Sequence, residues 1–127
     1  MKIIISEKQL RTLLFENNNF EKYTEPFNDE MSKYINLDWA YMEFWDLETD
    51  KVYDRKHYYI DIDEDWEEDN WIFSLGNEEN NEYELFYDKW LLRDEIVKFP
   101  LLKFEKLLSD WFMKTYGYKL YKVDGSR

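Results

Sequence analysis

The sequence predicts a single α+β domain over residues 1–127, an antiparallel β-meander of about four to five strands packed by an amphipathic C-terminal helix and a short N-terminal helix. Three observations predict it. Between Asp38 and Asp88 apolar residues recur with period two, the spacing of strands. Between Pro100 and Tyr116 they recur at three and four, the spacing of a helix that faces a core. A chain of 127 residues with 44% hydrophobic and 20% aromatic content is apolar enough to close one core despite its formal charge of −12.

At the N-terminus, Ser6-Glu7-Lys8-Gln9 reads as a capping box, with Ile5 and Leu10 at the two positions expected of a hydrophobic staple. Leu10, Leu13 and Leu14 follow at helical spacing, which predicts a first helix over 7–16 ended by Asn17-Asn18-Asn19. Residues 20–27 are expected to be irregular, because Pro26 lacks an amide donor and biases Glu25 away from helix; a short helix over 29–35 follows.

From Asp38 the period is two, with Trp39, Tyr41, Glu43 and Trp45 on one face and Ala40, Met42 and Phe44 on the other. Glu48-Thr49-Asp50-Lys51 supplies turn chemistry, and a returning strand is expected over 56–63, with Tyr58, Ile60 and Ile62 alternating against Tyr59, Asp61 and Asp63. Residues 70–75 and 82–88 repeat the pattern around an expected Gly76-Asn77 turn, placing Trp71, Phe73, Leu75 and then Tyr83, Leu85, Tyr87 on apolar faces. In the last helix Leu101, Phe104, Leu108, Trp111 and Phe112 make the apolar stripe, Pro100 suits its first turn and Gly117 its left-handed end. Residues 118–123 alternate again as an edge strand, guarded by Lys119 and Lys122.

The charge is polarised along the chain. Between Asp61 and Glu95 fourteen acids meet only two bases, Lys89 and Arg93, and this stretch holds the whole net charge of −12; residues 96–127 carry seven bases against three acids. A folded chain of this length has a radius of gyration of about 14 Å, so carboxylates gathered on one face would approach the charge density of a DNA strand. The segment therefore suggests a surface for basic partners, with Asp61, Asp63, Glu64, Asp65, Trp66, Glu67, Glu68, Asp69, Glu78, Glu79, Glu82 and Glu84 as candidate contacts. The alternative is that these acids are the solvated tips and faces of strands. Trp66, among carboxylates that are costly to bury, is the candidate anchor, and Trp71 is expected to fold onto the core.

Other chemistry finds little support. Asp61-Ile62-Asp63-Glu64-Asp65 opens like a calcium loop, but Trp66 stands where the sharp turn needs Gly and Ile72 where a bidentate Glu is needed. His57 is the single histidine, there is no cysteine, and Gly76, Gly117 and Gly125 are isolated, so zinc sites, thiolate chemistry and phosphate-cradling loops have no motif here. No catalytic role, metal or cofactor is expected. The apolar run Ile3-Ile4-Ile5 is too short for an export signal, and no stretch approaches about 20 apolar residues, so a cytoplasmic location without a membrane partner is expected. Direct nucleic-acid binding is disfavoured by the charge.

Met1-Lys2-Ile3-Ile4-Ile5-Ser6-Glu7-Lys8-Gln9-Leu10 resembles the N-terminus of short accessory proteins encoded by tailed bacteriophages. The resemblance covers about a tenth of the chain. It implies a phage or mobile-element protein, and with the acidity an anti-defence inhibitor that occupies a basic nucleic-acid-binding surface of a host protein. The alternatives are an immunity protein that neutralises a toxin and a virion or assembly accessory protein.

Overall fold

The computed structural model describes residues 22–77 and 81–126. The expected capped helix over 7–16, and Glu78 and Glu79, lie outside them. The chain divides into two compact units at Ser32/Lys33.

In the first unit residues 22–31 are helical (α1), which corrects the irregular segment expected around Pro26. Phe27 and Met31, four residues apart on one side of the helix, are buried, and burial of an apolar face outweighs the local bias of one proline. A 3-10 turn at Ser32–Tyr34 takes the place of the rest of the helix expected over 29–35.

The second unit is a five-stranded sheet in the order β1-β2-β3-β4-β5, so the α+β architecture is as the periodicities predict. β1 (Asp38–Asp46), β2 (Lys51–Tyr59), β3 (Phe73–Asn77) and β4 (Tyr83–Asp88) form the antiparallel meander. A short helix α2 (Arg93–Ile96) and the long α3 (Leu101–Tyr116) then carry the chain across, and β5 (Leu120–Ser126) returns parallel to β4. A crossover of this length is what a parallel neighbour requires.

α3 covers one face of the sheet. Its buried residues Phe104, Leu107, Leu108, Trp111 and Phe112 correct the expected stripe at two positions, since Leu101 is exposed and Leu107 is buried. Phe112 meets Tyr58 and Phe73 edge-on at 5.6 Å, and Phe104 meets Tyr87 at 5.4 Å. Gly117 closes the helix at φ 80°, with its amide donating to the Met113 carbonyl, a left-handed end that glycine adopts without a Cβ clash.

Strand boundaries differ from expectation, with β3 at Phe73–Asn77 in place of 70–75 and β5 at Leu120–Ser126 in place of 118–123. β2 begins at Lys51 and stops at Tyr59, so Ile60 and Ile62 leave the ladder, and Ile60 is exposed. Gly76 and Asn77 are not a turn: they pair with Glu84 and Tyr83 as the end of β3. Glycine suits this strand position because a Cβ at residue 76 would meet the Arg55 guanidinium lying over it.

Candidate functional site

The face of the sheet away from α3 holds an unusual floor. Register places Ala40 opposite His57, Met42 opposite Arg55, His57 opposite Ser74, and Ser74 opposite Phe86, so these side chains share that face. Arg55 is buried and fully engaged. Its Nε donates to Ser74 Oγ at 2.6 Å, its Nη2 to the Ser74 carbonyl at 2.8 Å and its Nη1 to Glu84 Oε1 at 2.6 Å, while the guanidinium lies 4.5 Å from the Phe86 ring centre. Glu84 thus spends its charge inside the sheet.

His57 is 4% exposed, with its ring 5.6 Å from Phe44, 5.3 Å from Trp71 and 6.2 Å from Tyr59. The Tyr59 hydroxyl donates to the Glu68 carbonyl at 2.9 Å and lies 3.3 Å from His57 Nδ1. With its proton committed to Glu68, the hydroxyl can accept from His57 in the tautomer that carries the imidazole proton on Nδ1. Above this floor lies a cleft of about 390 Å³ lined by Met42, Glu43, Phe44, Arg55, His57, Glu68, Asp69, Trp71, Ser74, Phe86 and Ser126.

One wall of the cleft, Glu68, Asp69 and Trp71, belongs to the β2–β3 loop, residues 60–72. Asp61, Asp63, Glu64, Asp65, Glu67, Glu68 and Asp69 are all exposed, and no Lys or Arg occurs between Lys56 and Lys89. The loop is tied into successive turns: the Asp65 amide donates to Asp63 Oδ1, the Trp66 amide to the Asp63 carbonyl, and the Asn70 amide to the Glu67 carbonyl. Its start is pinned to β1 through the Ile62 amide and Asp38 Oδ2 at 3.1 Å. Trp66 is half-buried, edge-on to Tyr59 at 5.2 Å, and its indole N–H is buried without a partner. Beside it, Tyr59, Ile60, Trp66 and Leu91 share a second hollow of about 320 Å³ with Asp61, Asp63, Asp65 and Glu67. Trp71 is buried, as expected.

Of the remaining candidate acids, the two among the described residues do not join this surface. Glu82 lies 3.4 Å from Lys119, and Glu84 is the buried partner of Arg55. Outside the candidate set, Asp88 is buried and holds the Trp90 and Leu91 amides, and Glu95 is buried in an ion pair with Lys33. Among the described residues the expected acidic face is therefore smaller than the charge run: Glu84 and Glu95 turn inward to cations from distant parts of the sequence, Asp88 turns to backbone amides, and the loop acids stay in water.

Two features were absent from the sequence reading. The Arg55–Ser74–Phe86 floor was one, although a glycine inside an alternating strand is a signal of close approach. The overhang of the β1–β2 hairpin was the other. β2 pairs with β1 along Lys51–Tyr59 but with β3 only at Arg55–Tyr58, so the far half of the hairpin extends past the third strand with Trp45, Leu47, Val52 and Tyr53 exposed. Among the described residues no group of three or more His, Asp or Glu is arranged to hold a metal ion, and no helix is long and apolar enough to cross a membrane. Comparison of the chain with family models, curated proteins and solved structures finds no match in any of the three.

Proposed function

We propose that this domain is a non-catalytic acidic binding protein whose β2–β3 loop occupies a basic, nucleic-acid-binding surface of another protein, the role of an anti-defence inhibitor carried by a phage or mobile element. The observation that carries this reading is the loop itself, with seven exposed carboxylates between Asp61 and Asp69 and no base among them. A nine-residue segment reaches at most about 30 Å when extended, and the turns shorten it. Seven charges over less than that length amount to roughly one per 4 Å or closer, comparable to the phosphate spacing of about 3.4 Å along one DNA strand. Among the described residues, Glu82, Glu84 and Glu95 of the same stretch are instead paired within the fold.

A complex formed this way weakens as salt shortens the Debye length from about 10 Å at 0.1 M to about 3 Å at 1 M, and duplex DNA competes with it for the partner. Reversing Glu64, Asp65, Glu67 and Glu68 to Lys weakens it further. A complex indifferent to salt, to DNA and to the reversals refutes the proposal. The exposed hairpin aromatics Trp45 and Tyr53 support a second reading, an immunity-type interface dominated by a few anchors. In that case Trp45→Ala costs more affinity than any single loop reversal.

A further inference from the structure

We propose that the cleft on the open face of the sheet is a socket for one arginine side chain of the bound partner. This rests on the acidic-loop reading and names what that site recognises, since Glu68 and Asp69 belong both to the loop and to the cleft wall.

The cavity and its aromatic walls carry the assignment. Phe44, His57 and Trp71 form a continuous set of rings, with His57 5.6 Å from Phe44 and 5.3 Å from Trp71, along a cleft of about 390 Å³. That volume is near the lower end of ligand sites, which run from roughly 300 to 1,000 Å³, so it admits one long side chain and not a folded segment. An anion is a poor occupant. The only guanidinium in the lining, Arg55, has Nε, Nη1 and Nη2 all bonded within the sheet and its charge met by Glu84. A neutral apolar group fits no better, because it would desolvate Glu68 and Asp69 of the loop.

A cation satisfies both features, since ring faces attract positive charge and carboxylates accept charge-assisted hydrogen bonds. Guanidinium suits the site better than ammonium because it is flat, weakly hydrated, stacks on rings and bonds carboxylates through two nitrogens at once. The fold already shows the same preference once, where Arg55 lies over Phe86 and bonds Glu84.

The test titrates the full chain with the capped tripeptide acetyl-Gly-Arg-Gly-amide and follows the backbone amide signals of His57, Ser74 and Phe86 by NMR. The citrulline tripeptide, with the same shape and no charge, and the lysine tripeptide are the comparisons. The expected result is saturable shifts at the cleft with arginine, weaker binding with lysine, and binding at least about tenfold weaker with citrulline, the loss of one charge-assisted contact. Glu68→Gln combined with Asp69→Asn lowers the arginine affinity at least threefold. Equal binding of arginine and citrulline, shifts confined to residues 61–67, or an unaffected double variant would overturn the proposal. A nona-lysine peptide titrated alongside separates the two ideas. If it binds and is lost on Glu64→Lys with Glu67→Lys while the cleft ignores arginine, the loop reading stands and the socket falls; if the cleft takes arginine but nona-lysine does not bind, the reverse holds.

Discussion

Glu84→Ala tests the division between acids that hold the fold and acids that face a partner. Arg55 and Glu84 are 2.6 Å apart, with side chains only 10% and 11% exposed. At an effective dielectric of about 20 their attraction amounts to about 6 kcal/mol, offset by several kcal/mol of desolvation for each ion, so the intact pair is close to neutral. Removing the carboxylate leaves the guanidinium buried with only Ser74 and the Phe86 ring for company, and an orphaned buried charge costs about 3–5 kcal/mol. At about 3–5 °C per kcal/mol for a domain of this size, thermal unfolding should fall by roughly 10–20 °C. Glu64→Ala in the exposed loop should stay within about 0.5 kcal/mol of wild type. The double variant Arg55→Met/Glu84→Met, which removes both charges, should recover most of the loss. Urea and thermal denaturation followed by circular dichroism supply the measurement. A cost below about 1 kcal/mol for Glu84→Ala would refute the reasoning and return Glu84 to the binding surface.

Tyr58→Phe removes a hydroxyl that is buried without a hydrogen-bond partner, so it should leave stability unchanged or raise it by about 1 kcal/mol, and a loss of that size in urea denaturation would contradict the geometry. Burial holds the Tyr58 and Tyr87 phenols well above the ordinary tyrosine range and pushes Tyr116 up to about 12. The folded state therefore keeps protons that the unfolded state has released, so stability should fall as pH rises from about 10 towards 12, and absorbance near 295 nm should show these tyrosines ionising only with unfolding. Converting Glu64, Asp65 and Glu67 to Gln should not lower the unfolding temperature, because these exposed carboxylates face like charges and no cation of the loop; a marked loss would mean that the loop acids support the fold.

The elements legible in the sequence are those whose local signals and burial agree. α3 announces itself by apolar spacing between Pro100 and Gly117, and the first hairpin by alternation on both sides of the 48–51 turn. Three features depended on partners far along the chain. Alternation puts Glu84 on the face opposite Leu85, but that Arg55 meets it there and both are buried follows only from the pairing of β2 with β3 and β3 with β4. Gly76 carries turn chemistry locally, and only the guanidinium above it explains its place in a strand. Residues 118–126 carry an edge-strand pattern that is silent on direction; β5 runs parallel to β4 because a helical crossover separates them. The acid count was visible at once, whereas its split into inward ion pairs and a solvated loop required the cations Lys33, Arg55 and Lys119 to be brought from 29 to 62 residues away.

The central claim is that the carboxylates of the β2–β3 loop select the partner. Its most direct measurement is affinity capture from cell lysate at 0.1 M and 1 M salt, using the wild-type chain and a variant with Asp61, Asp63, Glu64, Asp65 and Glu67 changed to Asn or Gln as baits. The account predicts a basic nucleic-acid-binding protein held by the wild-type chain at low salt, released at high salt and lost to the neutralised loop. The same protein retained equally by both baits at both salt concentrations would contradict it.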